Sequence, residues 1–273
     1  METLSDFRLS FVGIGPMKTA SSWIDAALRR HPDVYLPDDV KETLFFTKRF
    51  DLGWSWYEHY FKNRSAIHKC GEVAPTLFRD QSARQRLLES FPETKIIISL
   101  RDPVERTYSH FLHARATGVV PNDFFDAIRI RPSILEAGRY HVHVPHWEYK
   151  FPRKQIHFIF SEEIANDPRP TWVRMLKFLE VEEIPLLNGF QKVGAGVNPR
   201  SPFLGRIAKD CSSKLRKLQL DNIVNFAKRN GGKRLLFKKR EIEQVPDKVH
   251  SFLEDQHKPD RDLYNSRISQ FKS

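Results

Sequence analysis

The chain has 273 residues, enough to bury one large α/β core, and its 40% apolar and 29% charged content excludes a disordered or fibrous protein. With only Cys70 and Cys211, a disulfide framework and a cysteine-rich zinc site are excluded as well. The formal charge of +11 is unevenly spread: residues 200–240 hold thirteen Lys or Arg against Asp210 and Asp221, a segment that either attracts an anion or solvates helix faces.

Arg8 to Gly15 is a short apolar run ending in glycines, and Ser21 to Arg30 carries Trp23, Ile24, Ala27 and Leu28 at helical spacing. The chain therefore opens as strand, tight loop and helix. A strand over His68 to Val73 and a helix over Asp80 to Ser90 lead to Lys95 to Leu100 (KIIISL), apolar on both faces as a central parallel strand is. Asp102 at the N-cap and Pro103 at the first helical position start a helix running to about Ala116. Ile156 to Phe160 supplies another strand, and Pro170 to Leu179 a helix with Trp172, Val173, Leu176 and Leu179 on one face. Gly194 to Pro202 reads as a loop, and beyond Gly205 the pattern is helical, with Ile207, Ala208, Cys211, Leu215 and Leu218 forming an apolar stripe.

This alternation predicts an α/β fold: a doubly wound, mostly parallel sheet flanked by helices, with a helical C-terminal segment. We expect one domain over residues 1–273, with its core at 8–180 and a basic, mainly helical extension at 200–273. Met1 to Ser10, with Glu2 and Asp6, lacks the basic start and apolar run of a secretory signal, and no 18-residue apolar run occurs. The expectation is a cytoplasmic protein with no membrane span.

Open parallel sheets bind ligands beyond the carboxyl ends of their strands, so the first strand–loop–helix unit is the place to look for a phosphate site. It reads Gly13-Ile14-Gly15-Pro16-Met17-Lys18-Thr19-Ala20-Ser21-Ser22-Trp23. Helix-start N–H groups, the Lys18 charge and the Thr19, Ser21 and Ser22 hydroxyls suit an anion. Met17 stands where a nucleoside triphosphatase loop has glycine before its lysine, which weakens an ATPase reading.

Lys18-Thr19-Ala20-Ser21-Ser22-Trp23 resembles the 5′-phosphosulfate loop, K-[ST]-G-T-[ST], of sulfotransferases that use 3′-phosphoadenosine 5′-phosphosulfate (PAPS), with Ala20 in the usual glycine position. The resemblance implies a P-loop-like fold, Lys18 on the 5′ phosphosulfate, Thr19, Ser21 and Ser22 fixing its oxygens, and Trp23 stacking on adenine. Arg101-Asp102-Pro103-Val104-Glu105-Arg106-Thr107-Tyr108-Ser109 is similar to the family's 3′-phosphate element R-[DN]-P-x-x-R-x-x-S. Ser109 falls about two helical turns after Arg101, whose planar fork suits a phosphate.

Between these motifs, Lys41-Glu42-Thr43-Leu44-Phe45-Phe46 resembles the KExxFF segment of glycosaminoglycan-type and many bacterial sulfotransferases, which implies Glu42 as the general base. Cytosolic small-molecule relatives use histidine instead, leaving His59, His68, His110 and His113 as alternatives. Glu72, in Gly71-Glu72-Val73-Ala74-Pro75, is similar to an E-x-x-P segment of the glycosaminoglycan group and reads as acceptor-side or structural. Ser161-Glu162-Glu163 stands near the family's Y-E-D element without its tyrosine. The resemblance also implies a basic loop in the C-terminal third that closes on the nucleotide, for which Asn198, Arg200 and Arg206 are candidates.

The implied reaction is sulfuryl transfer from PAPS to a hydroxyl of a small molecule or glycan, releasing 3′,5′-adenosine bisphosphate (PAP), with no metal and no nucleic-acid partner. A carbohydrate acceptor comes first, and a lipid or secondary metabolite is the alternative. Two rivals remain: a P-loop kinase, and a non-enzymatic basic module that binds an anionic polymer.

Overall fold

The computed structural model describes residues 7–187, 197–199, 237–239 and 243–272. They fall into two compact units, the first made of Met1–Pro103, Arg139–Gly194 and Lys258–Ser273, the second of Val104–Gly138 and Ala195–His257.

The first unit is built on five strands: β1 (Phe11–Ile14), β2 (Val34–Tyr35), β3 (Lys69–Val73), β4 (Lys95–Leu100) and β5 (Ile156–Phe160). All pair in parallel, in the order β2-β3-β1-β4-β5, with Ile14 opposite Ile98 and Gly13 opposite Val73. The sheet is the one expected from the alternating pattern. Successive strand residues feed opposite faces: Val12, Ile14, Ile96 and Ile98 join one core cluster, while Phe11, Val73 and Ile97 join another.

Helices α1 (Ser21–Leu28) and α9 (Pro168–Leu179) cover the second face through Trp23, Ile24, Ala27 and Leu28 and through Trp172, Met175, Leu176 and Leu179. Pro168 follows the N-cap Asp167, whose side chain accepts from the Arg169 amide at 3.1 Å. The first face packs against α3 (Gln81–Ser90), capped by Asp80, against α7 (Tyr140–Lys150), and against an aromatic group around α2 (Trp54–Glu58) that includes Phe45, Phe46, Tyr57 and Phe61. Each such large side chain contributes about 1.5–3 kcal/mol by leaving water. Gly71 sits under the Phe11 ring, where a Cβ would lie 2.2 Å from a ring carbon, so β1 and β3 can pair here only with glycine at this position. The short α8 (Ser161–Asn166) follows β5, and α11 (Lys258–Lys272) packs along α7.

The second unit contains most of α4 (Pro103–Ala116), with α5 (Phe124–Ile130), α6 (Ser133–Glu136) and α10 (Asp247–Gln256). Its core gathers Tyr108, Phe111, Leu112, Phe124, Ile134 and Leu253. Val197–Pro199, read from sequence as loop, forms β6, which pairs antiparallel with β7 (Phe237–Lys239). Arg200, Arg206 and the apolar stripe from Ile207 to Leu218 lie outside the described residues, as does residue 200–240 except for β7. No described helix is long and apolar enough to cross a membrane.

Candidate active site

The parallel pairing of β1 with β4 brings two of the sequence motifs to the same edge of the sheet. Gly15 leaves the carboxyl end of β1, Arg101 leaves that of β4, and Ile14 and Ile98 are register partners. A direct tie joins the two exits: the Thr19 and Ser99 hydroxyls are 2.7 Å apart, and the Ser99 Oγ donates to the Ile14 carbonyl at 3.1 Å. Gly15, at φ +133°, is pressed so closely to β4 that a Cβ would meet the Ser99 carbonyl oxygen at 2.3 Å.

The loop from Gly15 to Ser22 holds strained backbone. Lys18 (φ 80°) and Ala20 (φ 68°) both occupy left-handed conformations that favour glycine, at a cost of about 1–2 kcal/mol each. Ala20 is the N-cap of α1 and gives it no side-chain cap, and no acidic residue occupies the first turn, so the positive end of the helix lacks a carboxylate of its own. This arrangement fits an anionic ligand. The Thr19 hydroxyl turns inward, donating to the Pro16 carbonyl at 2.8 Å, and the residue is fully buried. Thr19 thereby shapes the loop from beneath. Trp23 is 1% exposed and lies among the core residues of α1's apolar face, where the 3.6-residue period that it shares with Ile24 and Ala27 places it. In this structure its ring serves the core, with no face presented for stacking.

The segment carrying Glu42 is fastened to α1 by Arg29, which donates to the Pro37 carbonyl at 3.0 Å and to that of Val40. Positive φ at Asp39 (62°) and Leu44 (61°) brackets the segment. Within it, consecutive side chains take different directions. Lys41 Nζ donates to the Ser21 Oγ at 2.9 Å and to the Ser22 Oγ at 3.4 Å. Glu42 Oε1 accepts from the Thr76 amide at 3.0 Å and from the Thr76 hydroxyl, while Oε2 makes no hydrogen bond among the described residues. Burial pushes the Glu42 carboxyl above the usual carboxylate range, partly offset by Thr76 and by Lys41.

Thr43, next in the chain, is held by Glu72. The Glu72 carboxylate accepts from the Thr43 amide, from the Thr43 hydroxyl at 3.1 Å and from the Tyr57 hydroxyl at 3.0 Å. Fully buried, it is pushed up to about 7, by desolvation first and by the Glu42 charge as well. Glu72 is on β3 and Thr76 on the turn that leaves it, so one strand and its exit grip residues 42 and 43 together. A cavity of about 10 Å³, room for about one water, adjoins Glu42, Thr47 and Thr76. The larger cavity of about 470 Å³, lined by Arg8, Ser10, Lys69 and Lys95, lies at the amino ends of the strands, away from this edge.

The turn after β4 is braced from several sides. The Asp102 amide donates to Glu162 Oε1 at 3.0 Å, the Tyr264 hydroxyl to Glu162 Oε2 at 2.6 Å, and the Tyr140 hydroxyl to the Arg101 carbonyl at 2.8 Å. Glu162, in the segment that lacks the family's tyrosine, thus works as a brace. Arg106, fully buried in the second unit, donates to the Thr107 hydroxyl at 2.8 Å and to the Ile134 carbonyl. Ser109, 8% exposed, is on α4 in the second unit, with His110 and His113. His68 precedes β3, at the opposite edge of the sheet from Glu42, and His59 sits in the short turn after α2. Among the described residues no three His, Cys, Asp or Glu group as a metal site. Sequence reasoning missed the reach of Lys41 and the role of Thr76; the only signal for them was their place beside motif residues.

Residues 11–189 match the family model described as "Sulfotransferase domain". The chain belongs to the sulfotransferase family. Sulfotransferase relatives include the bifunctional heparan sulfate N-deacetylase/N-sulfotransferase 1 of Caenorhabditis briggsae, 28% identical over 195 residues, 63% of this chain and 22% of that protein. Another is the human heparan sulfate glucosamine 3-O-sulfotransferase 3B1, 26% identical over 188 residues, 63% of this chain and 46% of that protein. The chain thus spans about a fifth of the first relative and under half of the second. Among solved structures, a sulfotransferase from Alicyclobacillus acidocaldarius superposes with a TM-score of 0.61 at 21% identity, over 80% of this chain and 96% of that one. The sulfotransferase domain from the curacin biosynthetic pathway gives 0.51 at 14% identity, over 66% and 77%. Both share this fold.

Proposed function

We propose that this sulfotransferase moves a sulfuryl group from PAPS to a hydroxyl of a carbohydrate, with Glu42 as general base. One observation carries the reading: the adjacent residues Lys41 and Glu42 join an uncapped, strained helix start to a carboxylate with one oxygen left over. An anion-binding loop and a base therefore stand side by side at the carboxyl edge of a parallel sheet. The names of the heparan sulfate relatives support a carbohydrate acceptor.

When bound, PAPS supplies a sulfuryl group on a phosphate that leaves readily. Glu42 Oε2 takes the acceptor hydroxyl proton as the oxygen–sulfur bond forms and the sulfur–oxygen bond to the 5′ phosphate breaks. Such a base contributes about 10²–10⁴-fold. Lys18 adds charge at the bridging oxygen, while Ser21, Ser22 and the first N–H groups of α1 hold the leaving phosphate. Thr19 and Ala20 set the backbone of that loop. By the motif resemblance, Arg101 and Ser109 are assigned to the 3′ phosphate; Arg200 is assigned to the nucleotide only by resemblance to the basic C-terminal loop of relatives, and no step is assigned to a metal ion.

The test is a radiolabelled-PAPS screen of glycans, lipids and phenols, alongside thermal shifts with PAP, Mg·ATP and RNA. Label on a glycan and a shift with PAP, about 2.7 kcal/mol at 100 times the dissociation constant, are expected. Label on a lipid or phenol alone overturns the acceptor class. A shift with Mg·ATP or RNA and none with PAP overturns the reaction.

A further inference from the structure

We propose that Lys41 is a second donor-site cation, whose ammonium contacts the sulfuryl oxygens and 5′ phosphate held at Ser21 and Ser22. This rests on the reading above and extends it to a residue of the Lys41–Phe46 motif to which the resemblance gave no role. Three observations lead there.

The first is a charge only partly balanced. Lys41 is half-buried, yet its only hydrogen bonds are to two neutral hydroxyls, and it has no ion-pair partner among the described residues. The nearby Asp25 carboxylate is taken by Arg29 at 3.2 Å. The Asp25 and Glu42 charges offset only part of the cost of drawing this cation out of water, and a bound anion offsets more of it. Burial correspondingly pulls the ammonium below the ordinary lysine range.

The second is hydrogen-bond direction. An ammonium carries three donors and no acceptor, so both serine oxygens must accept from Lys41. Their own O–H bonds are then turned elsewhere, and the uncapped start of α1 is the place where an anion oxygen would receive them. Lys41 thus supplies charge and also aims two further donors.

The third is adjacency. Glu42 is the next residue, anchored through Thr76 with Oε2 left over. A cation on the transferring group and a base on the attacking oxygen are what an in-line transfer needs on neighbouring positions.

Two measurements test this. In the wild-type protein, reductive methylation followed by mass spectrometry should show Lys41 modified at least about tenfold more slowly with saturating PAP. Equal rates overturn the contact. In transfer assays, Lys41→Met should lower kcat by about 10²-fold or more while PAP affinity falls less than about tenfold, with Lys41→Arg recovering part of the rate. A Lys41→Met enzyme within twofold of wild type overturns this proposal and leaves the parent reading standing. Wild-type protein that neither binds PAP nor transfers label removes both. The methylation arm needs no variant, so a misfolded Lys41→Met leaves the question answerable.

Discussion

Two carboxylates flank Thr43, and their surroundings are opposite. Glu72 is fully buried on β3 and accepts from three donors, shared between both of its oxygens. Glu42 is half-buried, has two donors from a single residue, and both go to the same oxygen. Burial raises both pKa values, yet only one carboxylate keeps an oxygen for chemistry. Saturating a carboxylate with donors makes it a clamp, and leaving one oxygen over suits it to act as a base; Glu72 clamps Thr43, the residue next to Glu42, and so aims the peptide on which Glu42 is carried.

Substitutions should separate these roles. The largest effect is expected from Glu42→Gln: transfer falls about 10²–10⁴-fold in steady-state assays, while PAP affinity and the melting temperature stay near wild type. Retained turnover would move the base role to a histidine. Glu72→Ala should act first on stability, costing about 3–5 kcal/mol in denaturant melts because the Thr43 and Tyr57 donors are left buried without an acceptor.

The next effect concerns pH. Glu72 binds its proton more tightly folded, at about 7, than unfolded, at 4.5, so its contribution is full below pH 4.5 and is lost as pH rises toward 7. Denaturant melts should lose about 3 kcal/mol across that window, and Glu72→Gln, which cannot ionise, should remove this component. Activity should also rise with pH, because Glu42, the proposed base, must be ionised and burial holds its carboxyl above the ordinary carboxylate range. A flat stability profile in wild type would break the contrast between the two groups.

Thr76→Val removes one of the two donors to Glu42 and should lower kcat about tenfold with stability changed by about 1 kcal/mol. The smallest effect lies away from both carboxylates. Ala20→Gly relieves a left-handed alanine and should stabilise the fold by up to about 1 kcal/mol, a baseline for backbone relief without any change in the carboxylates.

Much of this architecture was legible in the sequence. β4 and β5 were readable to the residue, because runs such as KIIISL leave no polar position that a helix or loop would want. β2, only Val34 and Tyr35, is too short to show a period, and α7 was hidden by Pro145 and its histidines. Lys18, Glu42 and Arg101 were singled out as candidates because each is part of a local pattern. Lys41 and Thr76 were not, since their roles come from contacts 20 and 34 residues away that no local spacing encodes. Trp23 shows the converse: its apolar periodicity with Ile24 and Ala27 outweighed a proposed ligand contact, and the ring went into the core.

The double grip of β3 on residues 42 and 43 carries an engineering consequence. Glu42 is aimed from within the scaffold, by the exit of a central strand, rather than by any loop that would meet an acceptor. On the proposed reading of Glu42 as the base, acceptor choice and proton removal are separately adjustable in this scaffold, because the carboxylate is aimed from β3 and its exit.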